Sequence, residues 1–461
     1  MTGILGKILR PVIAAYARKT LPARLVRGRF DAATTTNHNK RHWSAADSLS
    51  ADAAASSDVR IALRQRSRYE VANNSYARGI VSTLANDAIG TGPRLQVLTD
   101  DDKLNRTIER DFDAWSRTIS LSEKLRTMRM ARCTDGEAFA IMVNNPASLH
   151  EIQMDLILIE ADRVAGEFNF TNDPKDIDGV ILDSLGYPLK YRVLKEHPGS
   201  LYVNFTDEAM MVPAASMIHT FRADRPQLHR GVPEITPALE LFAQLRRFTL
   251  AVLTAAESAA NFAGILYTDA PASGEADSVE PMDLIELERN MLLTMPGGWK
   301  MSQLKPEQPA TTYGEFKKEI LNEIARCLNM PFNVAAGNSS GYNYASGRLD
   351  HQTYYKSIRI DQAFIAGRVL DRILENWLIE YAFIHGLAIL RRFIRNLPHQ
   401  WFWDGLEHVD PAKEAKAQAT RLENKTTTLA YEYARQGKDW EEELRQLARE
   451  KKLKEELGLL D

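Results

Sequence analysis

The chain has 461 residues, which is long enough to bury a large core and suggests about three domains. Hydrophobic residues make up 44% of it and charged residues 26%, as is ordinary for a soluble globular protein. The net charge of −3 argues against a protein that coats nucleic acid by charge, and no apolar run approaches the roughly 18 residues of a membrane span.

Residues 1–43 form a basic arm, in which nine lysines and arginines face a single acid, Asp31. A partner-binding arm, a nucleic-acid contact and a membrane-surface contact all fit this pattern, and so does a solvated, partly disordered terminus. The first residues make a poor signal peptide because Lys7, Arg10 and Pro11 interrupt their apolar run. His38 and His42 have metal-ligand spacing on a helix, but they stand in a polar loop, so no metal site is predicted.

Residues 44–222 predict helices followed by strands. A helical stretch begins with an N-cap in Ser44–Asp47 and extends to about residue 92, and two more helices occupy 103–134. Apolar runs bounded by turn residues then predict strands. The predicted strands are 95–98, 135–143 after its turn, 153–160, 179–182, 189–193, 201–205 and 217–221. Helices followed by a run of strands favour an α+β fold over a doubly wound sheet.

Two acids in this region, Asp135 and Glu137, flank Gly136. We interpret them as turn residues rather than as a catalytic acid pair, because Asp and Gly are typical of turns. His219 lacks a nucleophilic partner in the sequence, so no catalysis is assigned to it. Cys133 and Cys327 are expected to be free, packed thiols.

Helical patterns return after residue 235. Thr236 is a suitable N-cap and Pro237 a suitable first residue for a helix that extends to about Phe262. Residues 263–312 depart from this pattern and predict short strands and loops. A second amphipathic helix, residues 313–330, repeats an apolar residue every four positions and ends before Pro331.

An uncharged stretch, residues 333–347, separates that helix from a very long one. It contains three glycines and many hydroxyl and amide groups. The helical pattern that follows extends to about His385 without a proline, which would reach roughly 60 Å at a rise of 1.5 Å per residue. Two charged helices close the chain, the second from Trp440 to Leu457.

The uncharged stretch also contains a match to a hydrolase motif. Gly337-Asn-Ser-Ser-Gly341 fits G-x-S-x-G, which would make Ser339 a nucleophile, and four histidines follow it. That motif requires a buried strand before the serine and a helix after it, whereas here a helix and Pro331 precede it. We therefore predict no enzyme and no cofactor, and a soluble serine hydrolase that uses Ser339 is kept as the alternative from another class.

Several short motifs resemble the lambda-type family of tailed-phage portal proteins, in family order over roughly residues 60–460. They are Arg64–Ile80, Asp135-Gly-Glu137, Arg225-Pro-Gln227, Arg230-Gly-Val-Pro233, Ile324–Pro331, Asn343-Tyr-Ala-Ser-Gly-Arg348 and Asp410–Glu414. One departure is Pro296-Gly-Gly298, where the family usually has Pro-Gly-Glu, so a role tied to that acid is in doubt.

The resemblance implies an α+β portal fold with an α/β wing, a helical stem, a small clip insertion, a long helix after a tunnel loop, and a helical crown. The implied regions are the basic arm 1–43, wing 44–225, first stem helix 226–262, clip 263–312, second stem helix 313–332, tunnel loop 333–347, long helix and wing/crown junction 348–400, and crown 401–461.

The resemblance also implies function. Portal proteins of this kind form a homo-oligomeric ring, usually of twelve subunits, at one capsid vertex of the virion after assembly in the host cytoplasm. The implied partners are double-stranded DNA bound without regard to sequence, the terminase large subunit, capsid and scaffold proteins, and a head–tail connector. Another ring-forming head–tail connector is the structural alternative. The residues implied to line the channel are Asn338, Ser339, Ser340, Tyr342, Asn343, Tyr344, Ser346 and Arg348.

Overall fold

The computed structural model describes most of the chain after residue 35. The described residues are 36–37, 39–166, 173, 175–201, 208–260, 264–268, 299–303, 313–341, 343–386, 394, 397–405 and 411–459. The basic arm up to residue 35, most of the predicted strand 201–205, residues 269–298 with Pro296–Gly298, and Tyr342 lie outside this set.

Contacts within the chain divide it into two units, residues 1–53 and 54–461. The described part of the first unit contains a turn in which the N–H of Lys40 donates to the carbonyl of Thr36 at 3.0 Å. The predicted N-cap in Ser44–Asp47 is wrong, because residues 41–45 are also turn and helical structure begins at Ala51.

The described elements alternate helices with short strands. The helices are α1 Ala51–Ala54, α2 Ser57–Asn73, α3 Ser75–Ile89, α4 Asp102–Thr118, α5 Leu121–Asp135, α6 Leu239–Ala260, α7 Tyr313–Arg326, α8 Phe332–Ala336, α9 Tyr344–Ile365, α10 Asp371–Ile384, α11 Pro411–Glu423, α12 Leu429–Arg435 and α13 Trp440–Glu456. The strands are β1 Arg94–Val97, β2 Glu137–Asn144, β3 Met154–Ile159, β4 Asp176–Ile177, β5 Val180–Leu182, β6 Pro188–Leu194, β7 Ala209–Pro213, β8 Met217–Phe221, β9 Gly264–Thr268, β10 Trp299–Gln303 and β11 His399–Phe402.

The strands pair in antiparallel sheets, which confirms the predicted α+β class. One sheet has the order β3-β2-β8 and another the order β4-β5-β6-β7. Strand β2 is buried on both faces: Ala138 and Ala140 point into one core, and Phe139 and Ile141 point into another. Successive side chains of a strand face opposite sides, so β2 joins the two cores.

Three cores result from this arrangement. The first core lies among α4, α5, β2, β3 and α10, and its largest side chains include Phe112, Trp115 and Trp377. The second core gathers α3 and α7 with the adjoining parts of α6, α8 and α9, and Leu321 and Tyr354 lie in it. The third core lies between the two sheets.

The single helix predicted for residues 44–92 is divided at Asn74. The side chain of Asn74 accepts hydrogen bonds from the N–H groups of Tyr76 at 3.0 Å and Ala77 at 3.4 Å, which caps α3. Asparagine is among the best N-cap residues because its short side chain reaches the first free amides of a helix. The cap therefore ends one helix and starts another.

The long helix is confirmed to Ile384, but a five-residue π segment, Ala366–Leu370, divides it into α9 and α10. Before this segment Tyr354 and Ile358 lie in the second core, and after it Ile373 lies in the first. A π turn inserts an extra residue and rotates the apolar stripe. The segment thus lets one continuous rod contribute to two differently placed cores.

Two other predictions needed correction. A 3₁₀ turn, Thr236–Ala238, precedes α6, and the hydroxyl of Thr236 has no hydrogen-bond partner among the described residues, so Thr236 is not its N-cap. Strand β11 pairs with β1, Gln400 opposite Gln96, so the predicted boundary between residues 400 and 401 falls inside a strand. The predicted final helix is confirmed as α13, capped by Asp439.

Candidate nucleic-acid interface

An exposed, uncharged loop joins α8 to α9. Its seven residues, Gly337–Asn343, follow a short helix that the sequence did not predict. Gly337 ends α8 with φ +62°, and Gly341 has φ +86°, a region that favours glycine. The N–H of Ser340 donates to the side-chain oxygen of Asn338 at 2.9 Å, a turn typical of asparagine.

The structure shortens the predicted loop from both ends. The second amphipathic helix ends at Arg326 rather than at residue 330, because the chain turns at Asn329, which has φ +53°. Pro331 then precedes a new helix, α8, as its N-cap. Residues 344–347 belong to the first turn of α9. No charged residue lies between Arg326 and Arg348, so the loop and both of its junctions are neutral.

Only some of the predicted channel residues can be located in the structure as exposed neighbours. Asn338, Ser339, Ser340 and Asn343 are exposed in the loop, and Arg348 is exposed on α9. Tyr344 and Ser346 lie in the first turn of α9, but their side chains, like all of Tyr342, lie outside the described set.

The helices on either side of the loop are held to the body of the protein. The amide of Asn333 in α8 lies 2.9 Å from Nε2 of His351 in α9, and Nδ1 of that ring lies 3.4 Å from the hydroxyl of Tyr355. The hydroxyl of Tyr354 donates to Asp87 in α3 at 2.6 Å. Burial, aided by this carboxylate, raises the pKa of Tyr354, so the phenol stays a donor. The loop is therefore an exposed turn on fixed supports.

The same contacts exclude the elbow geometry proposed for Ser339. A helix, α8, precedes the serine where the motif requires a strand. The imidazole of His351 contacts Asn333 and Tyr355. Because the strand–turn–helix arrangement is absent around Ser339, the sequence match does not make this serine a nucleophile.

Four buried charges join α9, which follows the loop, to two other parts of the chain. Arg129 in α5 contacts Asp361 in α9 at 2.5 Å and Glu234, before α6, at 3.0 Å. Arg132 contacts the same two carboxylates at 2.6 and 2.8 Å. Each arginine thus bridges both acids, and the cluster is neutral overall. Because removing one member leaves an uncompensated buried charge, the cluster fixes α9 against α5 and the start of α6.

Glu234 makes this cluster sensitive to acid. Burial alone would raise its pKa, but Arg129 and Arg132 outweigh burial and lower the pKa to about 2 from 4.5. The ionised carboxylate therefore stabilises the fold above about pH 4.5, and this contribution is lost as the pH falls towards 2.

We expect Glu234→Gln to be less stable than the parent protein by about 3 kcal/mol at neutral pH. Denaturant titrations should show that the difference in free energy of unfolding between the two proteins shrinks as the pH falls from 4.5 towards 2. A difference that does not depend on pH would contradict a stabilising role of the ionised Glu234.

Sequence reasoning missed this cluster, although one signal was available. Asp361 stands on the buried stripe of α9 between Ile358 and Ile365. A carboxylate in an apolar stripe needs a buried cation, but the sequence does not say which one.

A second buried cluster corrects the interpretation of Asp135 and Glu137 as turn residues. Glu137 is fully buried and accepts hydrogen bonds from Arg230 at 2.6 and 2.9 Å and from the N–H of Gly231 at 3.1 Å. His219 stacks on Phe139, and its Nε2 lies 3.1 Å from Glu137. Burial lowers the pKa of His219, so the neutral ring donates to the carboxylate and has a structural role.

Asp135 pairs with Arg68 on α2 at 2.7 Å. Three arginines of α2 are thus in ion pairs. Arg60 pairs with Asp178, and Arg64 lies 3.3 Å from Asp162. These contacts tie α2 to the sheets and leave those two arginines buried away from solvent.

Two glycines allow the Asp135–Glu137 and Arg230–Pro233 segments to touch backbone to backbone. A Cβ on Gly231 would lie 2.7 Å from the carbonyl carbon of Gly136. Gly136 has φ +92°, and a Cβ there would lie 2.5 Å from the carbonyl carbon of Val232. Only glycine fits at either position, because the obstructing atoms belong to the backbone and cannot rotate away.

Gly231→Ala is therefore expected to lower the free energy of unfolding by about 3 kcal/mol. Gly79 provides a matched control, since it lies in α3 and a Cβ added there would meet no other atom within 4 Å. Gly79→Ala should leave stability unchanged or raise it by up to about 1 kcal/mol, because alanine favours a helix. Urea denaturation of both variants tests the argument, and equal stability of the two would contradict it.

One group of side chains has the composition of a metal site. Glu160, Asp162 and His197 approach one another closely, with His197 Nε2 3.0 Å from Glu160. However, Nδ1 of His197 accepts the N–H of Gly199 at 2.9 Å, so Nε2 carries a proton. Arg68 already contacts Asp162 at 2.7 Å. The N–H of the neutral His197 ring and the guanidinium of Arg68 thus face the carboxylates where a cation would bind. We therefore assign Asp162 to the ion pair with Arg68 rather than to a metal site.

Comparisons with known proteins identify the family. Over residues 36–362 the sequence matches the family described as phage portal protein, lambda family. It is 25% identical over 428 residues to a probable portal protein of Halomonas phage phiHAP-1, covering 86% of this chain and 81% of that protein. Among the described residues, no helix is long and apolar enough to cross a bilayer.

Two solved structures contain chains that are similar to this one. A chain from the neck of a native gene transfer agent particle, computed with C12 symmetry, is 14% identical with a TM-score of 0.48, covering 77% of this chain and 87% of that one. An HK97 family portal protein from Corynebacterium diphtheriae is 12% identical with a TM-score of 0.31, covering 62% and 84%. Because the family match extends over more than half of its length, the chain belongs to the lambda family of phage portal proteins.

Proposed function

We propose that copies of this chain form a ring, of about twelve subunits as is usual in the family, at one vertex of a phage capsid. Double-stranded DNA passes through the ring during packaging and again during ejection. The observation that supports this most is the neutral, exposed loop Gly337–Asn343 on fixed supports. Each phosphate that a protein neutralises adds affinity, so a conduit through which DNA slides is best lined by uncharged groups.

We also propose where the regions of the family fold lie along the chain. Helices α6 and α7 form the stem: Phe248 packs on Tyr313 and Phe316 with ring centroids 5.6 and 4.9 Å apart, and residues 263–312 form the clip inserted between them. The antiparallel pair β9–β10 belongs to the clip. The wing comprises residues 44–225, and the crown the helices after β11.

The tunnel loop is assigned to Gly337–Asn343, with α8 and the first turn of α9 as its borders. The channel-facing residues are Asn338, Ser339, Ser340, Asn343 and Arg348, together with Tyr342, Tyr344 and Ser346. In this arrangement α9 braces the loop, and the Arg129–Asp361 contact at 2.5 Å holds the brace to the wing.

The proposed partners follow from membership in the family. The terminase large subunit drives DNA through the ring, capsid and scaffold proteins assemble around it, and a head–tail connector docks on it. The ring forms in the host cytoplasm and remains in the virion. Portal proteins of this family are structural, and the chemistry of packaging belongs to the terminase.

A phage that lacks this chain tests the proposal. We expect it to produce heads that contain no DNA, and we expect the chain supplied from a plasmid to restore DNA-filled heads. Nuclease-protected DNA in purified heads is the measurement. DNA-filled heads in the absence of the chain would contradict the proposed function.

A further inference from the structure

Helix α7 presents an acidic face to solvent. Glu315, Glu319 and Glu323 follow one another at steps of four residues, so they lie on one side of the helix, and all three are exposed. Arg326 is exposed on the same side, and the three acids outnumber this single base. No ion pair is found for them among the described residues. Like charges at this spacing destabilise an isolated helix, so the face lacks a stabilising role within the described chain.

Apolar side chains accompany these acids. Phe316 is 50% exposed, and a shallow groove runs beside it along the helix. The groove is lined by Phe316, Glu319, Ile320, Asn322, Glu323 and Arg326. Exposed apolar groups with a charged rim are typical of a protein–protein contact.

Helix α9 presents a complementary face. Arg348, Lys356 and Arg359 are exposed on one side of it, with Leu349 and Ile360 65% and 63% exposed beside them. The nearest acids point elsewhere: Asp350 lies on a different side of the helix, and Asp361 is buried against Arg129. At 1.5 Å per residue the basic face is about 16 Å long and the acidic face about 12 Å, so the acidic face fits within the length of the basic one.

We propose that the acidic face of α7 in one copy binds the basic face of α9 in the next copy. The proposal rests on the proposed ring and adds the surfaces that form it. Because the two faces differ, every bound copy leaves one face free to bind a further copy. Repetition of such a contact gives a ring when the rotation between copies closes, as the proposed ring requires. The exposed Leu349 and Ile360 favour a protein over DNA as the occupant of the basic face.

The proposed contact between α7 and α9 also sets the position of the tunnel loop relative to the loops of neighbouring copies. Arg348 lies five residues after the loop on the same helix, and Glu323 lies in α7, which packs into the same second core. A contact between these faces fixes the spacing between loops of neighbouring copies. The interface and the channel wall are thus built from adjacent parts of α7, α8 and α9.

Charge reversal tests the pairing. The variant Glu319→Lys/Glu323→Lys makes the α7 face basic, and Lys356→Glu/Arg359→Glu makes the α9 face acidic. Each variant alone should raise the protein concentration for half-assembly by about 100-fold or more, since like charges then meet at every contact. Mixed in equal amounts, the two variants should form rings again, because alternating copies restore opposite charges at every contact of an even-numbered ring.

Analytical ultracentrifugation and mass photometry of the full-length chain measure assembly, and denaturation of each variant monitors its fold. Lys103→Glu/Arg106→Glu, on the exposed side of α4, is the matched control and should assemble normally. Normal rings from either reversed variant, or no rings from the mixture, overturn the pairing while the proposed ring stands. Arg348, at the end of the basic face next to the loop, borders both the channel and the contact, so the α9 variant leaves it unchanged. Rings from the α9 variant that fail only in DNA packaging would assign the basic face to DNA instead. A parent protein that never assembles overturns the proposed ring itself.

Discussion

Replacement of Ser340 by lysine is expected to slow DNA packaging by about tenfold or more while rings still form. Ser340 is exposed in the tunnel loop, where its N–H bonds to Asn338, so a longer side chain meets no packed neighbour. In a ring of about twelve copies one lysine per copy becomes a ring of like positive charges. Phosphates that pass this ring release counterions and bind, which opposes sliding.

The salt dependence of the packaging rate distinguishes binding of lysine to phosphate from a structural defect in the variant. Added salt weakens contacts between lysines and phosphates, so packaging by Ser340→Lys should recover partly as ionic strength rises. The neutral variant Ser340→Gln has similar bulk and should package normally. Single-molecule packaging rates for the three proteins are the measurement. Unchanged packaging by Ser340→Lys would show that the loop does not face DNA.

Replacement of Glu137 by glutamine is expected to lower the free energy of unfolding by about 3–5 kcal/mol. Burial alone would raise the pKa of Glu137, but Arg230 and the hydrogen bond from His219 outweigh it and hold the pKa well below its usual value. The glutamine keeps the shape but removes the charge that compensates Arg230, which is fully buried. Asp178, at 3.4 Å, would be the carboxylate left near Arg230, beside neutral acceptors from the glutamine amide and the backbone carbonyls.

A surface ion pair provides the control for this variant. Lys195 and Glu208 lie 2.6 Å apart, but both are more than half exposed. Glu208→Gln should leave the denaturation midpoint unchanged, because exposed pairs contribute little in water. Equal midpoints for Glu137→Gln and the parent protein would mean that the buried cluster is not the junction between β2 and the Arg230 segment.

Local structure was largely predictable from the sequence. The apolar stripe of α7, the continuous pattern of α9 and α10, and the turn-bounded strands β3, β6 and β8 follow from periodicity, because each pattern concerns neighbours along the chain. The family resemblance placed these elements in order. The π segment was not predictable, since it depends on how two cores are placed relative to each other.

Contacts between distant residues were not predictable. Glu137 looked like a turn residue because its partner Arg230 stands 93 positions later. Strand β11 was not predicted, because its partner strand β1 is some 300 residues earlier in the chain. Pro331 was interpreted only as a helix stop, although proline also suits the start of a helix, and α8 was missed for that reason. For the candidate site, the sequence indicated the neutral loop. The structure added the contacts that hold α8 and α9 on either side of it.

The ring with an axial channel is the central claim, and electron microscopy of the purified full-length chain tests it most directly. The account predicts closed rings, each with a central hole wide enough for duplex DNA. Compact monomers of 52.0 kDa, or closed assemblies without a hole, would contradict it.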